Sequence, residues 1–328
     1  MANLLFRSIM VLALLFGLFF AVGMGVLVYF DMPPVLGLGL AAGAVFLQYL
    51  LGPWLLQIIF KIKWVPLESI DPQLAAFTAR VCQQKGIPVP RFGIIHDGNP
   101  NAFTFGHYPG DARLVVTSGL LERLTPEESQ AVVAHELGHI KHWDFVVMTA
   151  AAVIPLALYV LYITTRRRRS GNAGYAVAIS ILSYIAYIIS QYIVLLLSRV
   201  REYYADQFAA EVTNNPEALS TALVKIGYGL IANPPQGSDG SEADGKNKGK
   251  NKGNDRNPRM VAARAFGIFD PKAAATMTLS GIKDPDSQQP SLMAMTAAMQ
   301  WDLKNPWGIY YELHSTHPLP AKRIRALS

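Results

Sequence analysis

His135 and His139 stand four residues apart with Glu136 beside the first, in the run His135-Glu136-Leu137-Gly138-His139. On a helix this spacing leaves the two side chains about 40° apart around the axis, so both imidazoles project from one face. Two imidazoles so placed fit adjacent corners of a tetrahedral zinc site. Glu136 lies at a neighbouring angle, where it can take a proton from a water on the metal without being a ligand. In such sites the metal lowers the pKa of its water to about 7, and the carboxylate accepts the proton as the water attacks a peptide carbonyl. The preceding residues predict a well-started helix. Thr125 suits the N-cap, Pro126 the first helical position, and Glu127 and Glu128 the first turn. Glu128 also sits at capping-box spacing from Thr125. Ala131-Val132-Val133-Ala134 then gives the helix an apolar face.

A catalytic zinc needs a third protein ligand and one open position. His142 is a candidate, but it follows His139 by only three residues with no glycine turn between, and it reads better as a surface histidine. Glu202 is the stronger candidate. In Arg201-Glu202-Tyr203-Tyr204-Ala205-Asp206 the two acids are four apart and share a helix face. One carboxylate can bind the metal while the other accepts the far N–H of a ligating imidazole and fixes its tautomer. The bland alternatives are a solvated pair of histidines and a solvated charged helix end. Cys82 is the sole cysteine, so no intrachain disulfide and no thiolate zinc site of the ribbon or finger type can form. No motif around Cys82 marks it as a nucleophile. His96, His107 and His314 carry no spacing argument and read as structural.

The elements that position these residues follow from composition. Apolar residues make up 51% of the 328-residue chain and charged residues 16%, against roughly a quarter charged in an ordinary soluble domain. Part of the chain is therefore expected in lipid. An apolar run from about Leu4 to Phe30 turns at Asp31-Met32-Pro33-Pro34 into a second run from about Val35 to Phe60. Each has the roughly 20 residues that a membrane-crossing helix needs, and residues 1–60 read as a transmembrane hairpin with Trp54 and Trp64 as interface anchors. Residues 61–144 form the first part of a soluble catalytic unit, with a helix over Pro72–Lys85 and strands near Phe92–His96 and Arg113–Val116. Residues 145–198 hold two further apolar runs, Phe145–Thr165 and Ala173–Leu197; buried core helices of a soluble protein are the alternative. A hairpin there returns the chain to its start and brings Glu202 toward His135 and His139, at the membrane surface. Residues 199–232 read as a helix carrying the third ligand, 233–258 as a flexible Gly/Asn/Lys-rich surface loop, and 259–328 as the rest of the catalytic unit.

The net charge of +6 is concentrated in Arg166–Arg169 and the 233–258 loop. That pattern fits membrane-flanking charge, and no interleaved aromatic and basic motif points to nucleic acid. Positive residues around the soluble segment place it in the cytoplasm, which puts the four-arginine loop outside if the second hairpin spans.

These features together resemble the HtpX-like integral-membrane zinc metalloproteases, relatives of the CAAX prenyl protease. The resemblance rests on the N-terminal spans, Asn101-Ala102-Phe103-Thr104-Phe105-Gly106, the His135 motif and the second hairpin. It extends to Glu202 with Asp206, and to Ser315-Thr316-His317-Pro318 with Arg323. It implies zinc-dependent endoproteolysis of misfolded or membrane proteins in quality control and stress response, with one zinc per chain held by His135, His139 and Glu202. Glu136 is implied as general base, and Asp206 as the partner of a zinc-binding histidine, His135. His317 is implied as oxyanion stabiliser, and Arg323 as an orienting residue. Asn101 and Ala102 resemble the edge segment that pairs with substrate backbone.

The expected architecture is a mainly α membrane protein with about four transmembrane or membrane-embedded helices. To these is joined a gluzincin-type zinc protease domain with a small β-sheet beside the motif helix. Protein substrates and the lipid bilayer are the expected partners. The rival readings are a non-proteolytic membrane scaffold or chaperone, and a peptidase specific for prenylated proteins.

Overall fold

The structure, a computed structural model, describes residues 34–167, 173–227, 303–304 and 306–328. It opens with a 27-residue helix, α1 (Pro34–Phe60), which leads into the short strand β1 (Lys63–Trp64). Helix α2 (Pro72–Lys85) starts where the Asp71 carboxylate accepts the N–H groups of Gln73 and Leu74. It stops at Gly86, whose φ of 63° lies in the left-handed region that glycine enters without steric cost. Strands β2 (Arg91–Ile95), β3 (Ala102–Phe105) and β4 (Arg113–Thr117) follow, then the short helix α3 (Ser118–Arg123) and the motif helix α4 (Pro126–Lys141). The capping box at Thr125 and Glu128 is present in both directions.

The four strands form one mixed sheet in the order β1-β2-β4-β3, with β2 and β4 parallel and the other pairs antiparallel. Strand alternation divides its side chains between two faces. Phe92, Ala102, Leu114 and Val116 face a core shared with Leu74, Phe77 and Val81 of α2 and with Val132, Val133 and Leu137 of α4. Phe103, Phe105, Val115 and Ile95 face the other way, onto Phe60 and Ile62 at the foot of α1. Leu74, Leu114, Leu120 and Leu137 are fully buried, each contributing about 1.5–3 kcal/mol of hydrophobic stabilisation. The motif helix is thus packed from the sheet side and from α2, which fixes its rotation.

The chain then forms a helical hairpin, α5 (Asp144–Arg167) and α6 (Ala173–Thr213). Its apolar side chains are exposed, among them Ile154, Leu161, Ile181, Ile185, Ile189 and Ile193. Core helices of a soluble protein hide such residues, whereas this hairpin exposes them among the described residues, which favours the membrane reading. These are the two helices among the described residues long and apolar enough to cross a membrane; Tyr49–Phe60 of α1 is a shorter apolar stretch. Helix α7 (Pro216–Gly227) packs back on α4 through Leu219 and Leu223, and α8 (Pro306–Leu313) and α9 (Pro320–Leu327) complete the described chain.

The structure departs from the sequence expectations in two places. Strand β1, two residues long, was not expected, and β3, four residues long, was expected only as the edge segment that the resemblance implies at Asn101 and Ala102. The expected boundary at residue 198 falls inside a single 41-residue helix, α6; the break comes instead after Thr213, where Asn214 takes a φ of 52° and Pro216 opens α7. The apolar run at 4–30, Arg168 and Arg169, and the loop at 233–258 lie outside the described residues.

Candidate metal centre

The Nε2 atoms of His135 and His139 converge to 3.1 Å. Glu202, on α6, brings Oε1 to 3.5 Å from His139 Nε2 and Oε2 to 3.6 Å from His135 Nε2. For bonds of about 2.0–2.1 Å the edge of a tetrahedron is about 3.3–3.4 Å, so the three separations suit donors around one small cation. The charges fit as well. Glu136, Glu202 and Asp206 are buried with Arg323, and three carboxylates against one guanidinium leave negative charge that a divalent ion compensates. Glu202 Oε2 and His317 Nδ1 are buried without a well-formed hydrogen bond, although they lie 3.2 Å apart.

Each imidazole is oriented from behind. His135 Nδ1 lies 2.9 Å from Asp206 Oδ1, and His139 Nδ1 lies 2.5 Å from Asp144 Oδ2. A carboxylate only accepts, so both Nδ1 atoms carry their proton and Nε2 of each ring is the atom left to bind a cation. The two aspartates are themselves held by arginines. Arg323 donates to both oxygens of Asp206, from Nε at 2.8 Å and from Nη2 at 2.5 Å, and its Nη1 lies 3.1 Å from Glu202 Oε2. Arg201 pairs with Asp144. Asp144 escaped the sequence reading. Its signal was an acid just past the motif helix, where Trp143 adopts a φ of 60° and restarts the chain as α5 beneath His139.

Without metal the two histidines are driven apart in pKa. Burial lowers that of His135, but hydrogen bonds to Asp206 and then Glu202 outweigh it and hold the group at about 9. His139 is lowered by burial, with the neighbouring His135 adding to this against the pull of Glu202.

Glu136 sits beside the cluster on α4, where its Oε2 accepts a hydrogen bond from Thr104 Oγ1 of β3 at 2.9 Å. His317, on the turn between α8 and α9, anchors its backbone N–H on Ser315 Oγ at 3.1 Å. That turn is tied to α6 by Arg199, which donates from Nη1 to Glu312 O (2.6 Å) and Ser315 O (3.2 Å). Seven of the nine residues singled out from sequence therefore converge: His135, Glu136, His139, Glu202, Asp206, His317 and Arg323. Asn101 directly precedes β3 and Ala102 opens it. The main chain of Asn101 is engaged with Thr117, its N–H donating to Thr117 Oγ1 at 2.9 Å and its carbonyl accepting the Thr117 N–H at 3.0 Å. His142 is exposed at the end of α4.

The geometry of two histidines, a glutamate and a buried carboxylate beside them agrees with a match over most of the chain. Residues 68–328 match peptidase family M48. The chain belongs to that family. As an M48 member it is a metallopeptidase, and the matched residues include every side chain of the cluster. A protease HtpX homolog of Methanothermobacter thermautotrophicus is 39% identical over 227 residues, covering 67% of this chain and 84% of that one. A protease HtpX homolog of Aeropyrum pernix is 28% identical over 297 residues, covering 88% of this chain and 83% of that one. The crystal structure of S. mikatae Ste24p superposes with a TM-score of 0.53 at 16% identity, covering 98% of this chain. The M48 chain spans 65% of the length of that structure, and the likeness is one of fold.

Proposed function

We propose that this M48 member is a multi-pass membrane zinc endopeptidase that cleaves misfolded or membrane proteins in quality control, with its catalytic unit in the cytoplasm. The observation that carries the proposal is the triangle of His135 Nε2, His139 Nε2 and the Glu202 carboxylate, with edges of 3.1–3.6 Å. Three nitrogen and oxygen donors with room for a fourth position are the donor set of a catalytic zinc. Zinc held there supplies the positive charge that polarises a peptide carbonyl and acidifies a water. The residues of the chain do the rest. Glu136 takes the proton of the attacking water and returns it to the leaving amine. Its Oε2 is anchored by Thr104, which leaves the other oxygen for this task. His317 Nδ1 lies 3.2 Å from Glu202 Oε2, next to the proposed ligands, and suits the developing oxyanion. Asp206 and Arg323 keep His135 in the tautomer that presents Nε2.

Substrate backbone is expected to add to the edge of β3, the last strand of the sheet among the described residues. Main-chain pairing there selects an extended segment with little sequence preference, as suits a protease of unfolded chains. Membrane embedding by about four spans, namely the run at 4–30, α1, α5 and α6, is supported by the exposed aliphatic faces of the hairpin.

Purified protein loaded with zinc should cleave casein or a model membrane substrate. Glu136→Gln should keep its zinc and lose activity by about 10²–10⁴-fold. Undiminished cleavage by that variant overturns the general-base assignment. Zinc bound by Glu202→Ala as tightly as by wild type overturns the third ligand.

A further inference from the structure

We infer that Thr104 is a positioning residue that couples substrate docking to the general base; the inference rests on the proposed role of Glu136. Two independent observations place it there. The first is the side chain. Thr104 Oγ1 lies 2.9 Å from Glu136 Oε2, and a hydroxyl facing a carboxylate donates. The bond fixes one oxygen of a buried carboxylate and so sets where the other one points.

The second is the main chain. In an antiparallel pair, hydrogen-bonded and non-bonded positions alternate. The Thr117 N–H donates to Asn101 O, which makes that pair a bonded position. Ala102 then faces Val116 and Thr104 faces Leu114 at non-bonded positions. The N–H and C=O of Ala102 and Thr104 are therefore turned away from β4, toward the open edge. Among the described residues β3 pairs with β4 alone. A peptide strand added at this edge takes its hydrogen bonds from Ala102 and Thr104. One residue thus holds the substrate with its backbone and the base with its side chain, through a single Cα. A shift of β3 on docking moves the Glu136 carboxylate with it. The main chain of Asn101 faces β4 instead.

Thr104→Val removes the hydroxyl and keeps the β-branched shape that suits a strand, while Thr104→Ser keeps the hydroxyl. With a casein-derived peptide, Thr104→Val should lower kcat roughly tenfold with KM within about twofold, and Thr104→Ser should restore most of the loss. Zinc affinity should be unchanged in both. Wild-type kcat in Thr104→Val overturns the inference, as does a change confined to KM, which would make Thr104 a docking residue only. Failure of Thr104→Ser to recover kcat also overturns it, because the hydroxyl would then not be responsible. If valine disturbs folding, Thr104→Ala against Thr104→Ser provides the same comparison. Glu136→Gln run alongside separates the two readings. If that variant is active the general-base reading falls; if it is inactive and Thr104→Val is normal, only the coupling falls.

Discussion

The imidazoles of His135 and His139 each have an aspartate behind them and an arginine behind the aspartate. His135, Asp206 and Arg323 form one such line, and His139, Asp144 and Arg201 the other. Partners of this kind fix the ring and raise its basicity, and their loss commonly weakens metal binding by about 10–100-fold. Asp144→Asn should therefore loosen zinc by about that factor in a chelator competition, with the fold retained. The pH dependence of binding has a definite sign. His135 holds its proton up to about 9 in the metal-free protein, and a ligating imidazole must be neutral, so zinc displaces one proton at neutral pH. Zinc affinity should fall about tenfold per pH unit as pH drops below about 9. His139, shifted the other way, adds no second proton near neutrality. Calorimetry in buffers of different ionisation enthalpy counts the protons released.

Glu202 reaches the histidines because α4 and α6 run unusually close. A Cβ built on Gly138 would meet Ala205 Cα at 3.0 Å and Ala205 Cβ at 3.3 Å. Glycine inside a helix costs roughly 0.5–1 kcal/mol relative to alanine. Here it is tolerated because it admits the backbone of α6 at Ala205 beside the proposed metal ligands on α4. Gly138→Val should force the helices apart, destabilise the protein by about 1–3 kcal/mol and weaken zinc binding in the same variant. Thermal unfolding with and without zinc measures both. A valine variant that binds zinc normally would show that the approach of α4 and α6 does not set the site.

At the scale of the whole molecule the hairpin length decides where the chemistry sits. Helix α5 has 24 residues and α6 has 41, or about 36 and 60 Å at 1.5 Å per residue. In the proposed spanning arrangement, α5 and the first half of α6 fill a hydrocarbon layer of about 30 Å. The second half of α6, which carries Glu202 and Asp206, then extends beyond the layer. Arg166, near the end of α5, is then expected on the far side from the site. Cysteine labelling tests this with little background, since Cys82 is buried and its thiol is pushed up to about 11 by that burial. Arg166→Cys should react with a membrane-impermeant maleimide in intact cells, and Ser328→Cys only after permeabilisation. Labelling of both from the same side would mean that the hairpin does not span.

The motif helix, its Thr125 cap, the apolar hairpin and the Glu202–Asp206 pair were legible in the sequence because each rests on short-range rules. Periodicity, capping and hydropathy act within a few residues, and four-residue spacing alone puts two side chains on one face. Strand β3 was legible only through the family resemblance at Asn101 and Ala102, and Asp144 was not legible. A four-residue strand has too little pattern to stand out, and its edge position depends on which strand pairs with β4. Asp144 matters only because a left-handed Trp143 turns it beneath His139. The sequence by itself determined the donors: two histidines one turn apart, a glutamate between them, and one acid that had to come from elsewhere. Tertiary structure alone decided their convergence. The separations of 3.5 and 3.6 Å between the Glu202 carboxylate oxygens and the two Nε2 atoms depend on how closely Gly138 lets α6 approach α4, a contact between residues far apart in the chain.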